Sequence, residues 1–226
     1  MRSPTAPEHE GTSTRARIRA AAIERFAREG FSVGVRAIAD DAGVSAASVM
    51  KVFGSKEALR AACDGYVFRT VREAKQEVLA EPGAPGAFLA QLARVEEYRP
   101  LVGYVLRSIQ DGGPHAAEFV EHMIADALEY IAEGVAAGTI VPSRDEEARA
   151  RYLMGAVFGA LMLEQLRPGA SAHRSADPSD TMLRAIERIT LPALELMSEG
   201  FLTDRSMLDA YLEYVPDPPA DGGDAV

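Results

Sequence analysis

Residues 35–53, VRAIADDAGVSAASVMKVF, constrain the chain more than any other stretch, because they read as two short helices meeting at a tight turn. Val35, Ile38, Ala39 and Ala42 recur at helical spacing and give the first helix one apolar face, while Arg36, Asp40 and Asp41 point elsewhere. Gly43 supplies a residue that takes a positive φ at little cost. Val44 follows as an apolar plug, and Ser45 is placed to accept the free N–H groups that open the second helix. On that second helix Val49 and Phe53 face inward. Ser45, Ala46, Ala47, Ser48 and Lys51 are left on the open side. Small, polar and cationic groups there suit close approach to a DNA groove.

A formal net charge of −10 argues against a nucleic-acid partner until its distribution is read. Residues 12–60 carry nine basic and five acidic side chains, a balance of +4, whereas residues 61–226 carry 14 basic and 27 acidic ones, a balance of −13. A small basic head on a large acidic body can offer its positive face to DNA while the body is repelled outward. The 226 residues, 47% of them hydrophobic, suffice for a packed core. A single cysteine, Cys63, excludes an internal disulfide and fits a reducing cytoplasm. No secretory signal is expected, and the longest apolar stretch, 153–163, falls short of the roughly 20 residues that span a bilayer, so no membrane partner is expected.

In chain order, residues 1–11 hold two prolines and no periodicity and are expected to form a disordered arm. A first helix is predicted over 14–29, with Ile18, Ala22 and Phe26 on its buried stripe, a left-handed cap at Gly30 and Phe31 packing back on Phe26. Gly54 ends the second motif helix, and Ser55 caps a long helix running from Lys56 to about Leu79. EPGAPG at 81–86 breaks the chain. Further helices are expected over 88–97, 100–110, 114–137, 144–166, 178–200 and 204–214, with a capping box made by Ser143 and Glu146, a loop at 167–177, and Phe201 folding back on Met197. No stretch alternates with period two for long enough to make a sheet. The expected fold is all-α.

TRARIRAAAIERFAREGF followed by VRAIADDAGVSAASVMKVFGSKEAL resembles the N-terminal DNA-binding domain of TetR/AcrR-family bacterial transcriptional regulators. An initial helix ending in FAxxGF, an RxIAxxAGVS turn and an FxSKEAL exit stand in the expected order and spacing. Met50 and Val52 replace aromatic or His residues common in the family. The resemblance implies a three-helix helix-turn-helix head at 12–55, a larger helical ligand-binding and dimerisation domain at 56–215, and leaves 216–226 as a disordered tail. It implies a homodimer that places one recognition helix from each subunit in the major groove of a palindromic double-stranded DNA operator. Arg36, Ser45, Ala47, Ser48, Lys51 and Lys56 then fall at positions that touch DNA, with Ala46 on the same open side.

The resemblance also implies a small-molecule inducer. Phe68, Phe88, Tyr98, Tyr104, Phe119, Met123, Tyr152 and Phe158 lie on helices that surround the inducer cavity in that family, and rings with Met and a few hydroxyls suit an apolar or aromatic compound. Gly155, Ala156, Gly159 and Ala160 form a small-residue stripe that lets another helix approach closely. With Leu183 and Ile186 on the next long helix, they are the candidate dimer interface. Burial within one subunit is the alternative.

Enzymatic motifs are missing: the chain has no GxSxG, no GxxxxGKS and no HExxH. His115 and His122, with Glu118 and Asp126 at compatible spacings, could hold a metal, but a solvated helical face is the plainer reading, and no metal or cofactor is expected. Cys63 reads as a buried small hydrophobe. The combined reading is a cytoplasmic, homodimeric, ligand-responsive repressor rather than an enzyme. A ligand-independent regulator whose C-terminal domain is a protein-interaction module, or a helical enzyme or metal carrier, are the alternatives.

Overall fold

The computed structural model describes residues 13–80, 85–166 and 178–215, without the side chains of residue 165 and residues 178–185. The expected arm, tail, 167–177 loop and most of the 81–86 break lie outside these residues. Among the described residues ten α-helices follow one another: α1 (Thr14–Glu29), α2 (Val35–Asp41), α3 (Ala46–Phe53), α4 (Lys56–Leu79), α5 (Pro85–Ala93), α6 (Arg99–Gln110), α7 (Gly113–Ala137), α8 (Glu146–Gln165), α9 (Pro178–Ser198) and α10 (Ser206–Tyr214). A 3₁₀ turn, Val95–Tyr98, joins α5 to α6. Among the described residues there is no strand, and no helix is long and apolar enough to cross a membrane.

Side chains punctuate these helices. Ser13 Oγ accepts from the Ala16 N–H at 3.1 Å to open α1, and Ser55 Oγ accepts from the Ala58 N–H at 3.0 Å to open α4, each satisfying a donor that the helix cannot. Ile18, Ala22 and Phe26 are fully buried on α1, and the Phe31 ring returns to within 5.1 Å of Phe26, as their spacing predicts. Gly30 differs in detail: its φ is positive but its ψ of 178° is extended, so the helix ends without a left-handed turn. At the far end of α7 the tip of the Ile140 side chain stands 2.7 Å from where a Cβ on Gly134 would be, so a larger residue there would push Ile140 aside.

Several expected boundaries move. Asp145, not Ser143, caps α8, its carboxylate accepting from the Ala148 N–H at 2.8 Å; the Ser143 N–H instead donates to Glu146, and α8 starts two residues later than expected. Val95–Tyr98 tightens to 3₁₀ rather than extending α5. Phe201 is 85% exposed and does not fold back, and α9 ends at Ser198 with Pro192 inside it. Asp204 accepts from the Ser206 N–H, so α10 begins at Ser206.

Packing places α6 directly on α1, α4 on α7, and α9 across α6 and α8. Gly103 permits the first contact, since a Cβ there would lie 3.1 Å from the Ala27 methyl. One continuous core results. Ile18, Phe26, Ile38, Val49 and Phe53 from the first three helices share it with Leu59 and Val67 of α4, Leu101 and Tyr104 of α6, and Phe119 and Met123 of α7.

Tyr104 sits at the centre of this junction, its ring 6.2 Å from Phe26 and 5.4 Å edge-on from Phe31. Its hydroxyl donates to the Asp64 carboxylate at 2.6 Å, and His115 Nε2 lies 3.3 Å from the other carboxylate oxygen. Burial pushes the Asp64 carboxyl above the ordinary carboxylate value, although the Tyr104 hydroxyl, His115 and Arg60 oppose the shift. Burial also pushes the Cys63 thiol up to about 12, which keeps it protonated and inert.

A carboxyl whose pKa is raised by folding binds its proton more tightly in the folded than in the unfolded chain, so its contribution to stability grows as pH falls through that raised value. Asp64→Asn keeps an oxygen for the Tyr104 hydroxyl and removes the buried charge. The variant is expected to be at least as resistant to urea as the parent at pH 8, with the margin vanishing toward pH 4. A variant less stable at pH 8 would mean that the ion pairs outweigh burial.

Candidate nucleic-acid interface

The turn between α2 and α3 is built by backbone hydrogen bonds. The Val44 N–H donates to Ala39 O at 2.9 Å and the Gly43 N–H to Asp40 O at 3.1 Å, the paired bonds of a Schellman ending, with Gly43 at φ +64°. Val44 is half-buried against the core as the plug, and Ser45 turns extended. Ser45 Oγ accepts from the Ser48 N–H at 3.0 Å and shares a 2.8 Å hydrogen bond with the Ser48 hydroxyl. Val49 and Phe53 are buried, so the register of α3 is fixed and its opposite face displayed. Ser45, Ala47, Met50 and Lys51 are exposed and Ser48 is partly so. Ala46 departs from its expected place: it is half-buried and packs on the core, so the open face of α3 begins at Ala47.

Most head cations are engaged within the protein. Arg15 donates to Val52 O at 3.2 Å and Arg17 to Ala42 O at 2.7 Å. Arg25 grips Asp41 with two nitrogens, one at 2.8 Å, and also pairs with Glu29. Asp41 is thereby held below the ordinary carboxylate range. Arg19 lies over the Tyr66 ring at 4.1 Å, and Arg60 lies over Phe31 at 3.5 Å while pairing with Asp111. Arg36, Lys51 and Lys56, on the first turn of α2, the last turn of α3 and the first turn of α4, show no hydrogen bond or ion pair among the described residues. Their charges are available to an external anion.

In the body, Phe68, Tyr98, Tyr104, Phe119, Met123 and Phe158 belong to or pack against the continuous core. The Phe68 ring lies tilted 4.6 Å from Phe119 and 4.0 Å from the His122 ring. Phe88 is half-buried on α5 away from this cluster, and Tyr152 is 71% exposed on α8. A cleft of about 380 Å³ opens between α4 and α7, with Phe68, Asp64, Arg72, His122 and Asp126 on its walls. Arg72 bridges Asp126 and Glu129, at 3.2 and 2.8 Å. Asp64, Arg72 and Asp126 were invisible as wall residues in the sequence, where they are ordinary charges of helices whose mutual rotation is unknown.

His115 faces Asp64 while His122 covers Phe68, so the two histidines serve separate partners. Among the described residues no three of His, Cys, Asp and Glu converge on a point. Gly155, Ala156 and Gly159 are exposed and Ala160 is half-exposed; Ile186 packs near Leu106 and Leu161, and the Leu183 side chain lies outside the described residues.

Residues 18–63 match the model for bacterial regulatory proteins of the tetR family, and residues 96–203 match the tetracyclin repressor-like C-terminal domain. The HTH-type transcriptional regulatory protein RaaS of Mycobacterium tuberculosis is 46% identical over 202 residues, covering 87% of this chain and 91% of that protein. The chain belongs to the TetR family. Its fold is also that of Salmonella enterica GusR, with a TM-score of 0.51 at 23% identity over 81% of this chain and 95% of that one.

This TetR-family protein is therefore a DNA-binding transcriptional regulator. The tetR match, 18–63, runs from the buried Ile18 of α1 to the buried Cys63 of α4 and so encloses the whole turn and the α3 helix it orients. Removing the cap that starts α3, by Ser45→Ala, is expected to cost about 1 kcal/mol in urea unfolding. A loss below a few tenths would show that the α2 turn alone sets where α3 begins.

Proposed function

We propose that this regulator is a repressor that binds a palindromic operator as a homodimer and leaves it when a small apolar or aromatic inducer binds the body. The observation that carries this reading is α4. Its first turn presents Lys56 beside the α3 face, and Asp64 and Phe68 on the same helix wall the α4–α7 cleft. Lys56 and Phe68 stand about 18 Å apart along one continuous helix. A ligand acts only through unequal affinity for DNA-competent and incompetent forms, and a shift of α4 supplies that difference by moving α3 with it. Adjacent major-groove faces repeat about every 34 Å, so a few ångströms of change in the spacing of two α3 helices weakens binding.

Arg36, Lys51 and Lys56 serve as phosphate anchors, and Ser45, Ala47 and Ser48 meet the groove. The Phe68 and His122 rings, 4.0 Å apart and both on the wall of the cleft, support an aromatic inducer. Dimerisation draws support from α8 and α9, where Tyr152, Val157, Leu163, Leu191 and Leu194 leave apolar surface exposed around the Gly155–Gly159 stripe. The protein works where bacterial DNA lies, in the cytoplasm.

Sequences enriched from a random DNA pool are expected to share a palindrome, and a pool that yields none would overturn dimeric readout. Lys51→Ala and Lys56→Ala should each weaken binding to the enriched duplex about tenfold and make the slope of log K against log salt shallower by about one for each phosphate no longer neutralised. Unchanged affinity in both would remove them from the interface. No atom lies within 4 Å of where a Cβ on Gly159 would stand, so Gly159→Leu fits within a protomer. Light scattering should then report monomers at concentrations where the parent is dimeric, with the helical circular dichroism retained.

A further inference from the structure

We infer that Arg15 and Arg17 are positioning residues for sequence readout, holding the C-terminal ends of α3 and α2 so that the two short helices keep a fixed angle to α1. α2 has seven residues and α3 eight, too short to persist on their own hydrogen bonds. Each ends with carbonyls that its own helix leaves open. Arg17 Nη2 donates to Ala42 O at 2.7 Å, at the C-cap of α2, and lies 3.4 Å from where a Cβ on Gly43 would stand. Arg15 Nη1 donates to Val52 O at 3.2 Å in the last turn of α3, and its guanidinium lies 4.5 Å from the centre of the Phe53 ring.

The two arginines are two positions apart on α1, about 200° around the helix, so one reaches each way and the start of α1 sits between the two ends. A guanidinium at a helix C-terminus also meets the favourable end of the dipole. Arg25 adds a second tie from α1 to α2 through Asp41. At Arg15 one planar fork both donates to the Val52 carbonyl and lies over the Phe53 ring, and at Arg17 the Nη2 that meets Ala42 O stands one bond further from the backbone than a lysine Nζ would, so lysine replaces neither.

This inference rests on α3 being the reading helix, which enrichment of a sequence by the parent protein tests separately and first. Arg15→Ala and Arg17→Ala are then compared with the parent on the enriched duplex and on a scrambled duplex of equal composition, across a salt series. Positioning predicts that affinity for the enriched duplex falls about tenfold while the scrambled duplex and the salt slope stay unchanged. A slope reduced by about one, with both duplexes weakened alike, would make these side chains phosphate contacts and overturn the inference. So would unchanged affinity for both. If the alanine variants lose their helical circular dichroism, Arg15→Lys and Arg17→Lys carry the test. They keep the charge, so a phosphate role predicts unaltered discrimination, and a positioning role predicts that the ratio between the two duplexes still falls.

Discussion

The hydrogen bond from the Tyr104 hydroxyl to the Asp64 carboxylate, 2.6 Å long and buried, is the constraint on which the arrangement of head and body depends. It joins α6 to α4 at the point where the Phe26 and Phe31 rings of the head close over the same tyrosine. A carboxylate buried beneath rings is costly unless it keeps its partners. Tyr104, His115 and Arg60 come from three helices, so those helices must hold one mutual position for Asp64 to be satisfied. Around that point apolar packing supplies most of the stability, with Gly103 allowing α6 to lie against α1 at Ala27.

The electrostatics of the head follow from the same economy. Arginines abound there, yet most of them close the head upon itself, over rings, onto carbonyls or against Asp41 and Asp111. Guanidinium suits such work, while the lysines, compact point charges on flexible stems, are left outward at positions 51 and 56. Net charge is therefore a poor guide to the binding face. What matters is which cations remain uncommitted once the fold is made.

Local structure was largely legible in the sequence, because it is written in short-range rules. Gly43, Val44 and Ser45 encode one turn through positive φ, an apolar plug and a hydroxyl cap, and the helix bounds 14–29 and 56–79 follow from caps and periodicity. Where two residues can do the same job, short-range rules do not choose between them: Ser143 and Asp145 are both good caps, and the carboxylate takes the position. Features that depend on how helices rotate against one another were not legible. Ala46 is small and begins a helix, and nothing in its neighbours says that it leans on the core. Asp64 and Asp126 look like surface charges until α6 and α7 are laid against α4. Tyr152 shares its composition with pocket residues, yet it stands on the face of α8 turned away from them.

The continuous core has an evolutionary consequence. Tyr104 and Phe119 belong to the interior that also holds Phe26, Ile38 and Val49, so the body has few aromatic positions that can drift without disturbing the head. Change in the chemistry of the α4–α7 cleft is thus pushed outward, to side chains such as His122 and Arg69 that line it from outside the shared interior. Lineages of this architecture should diversify at such margins while the aromatic centre stays still.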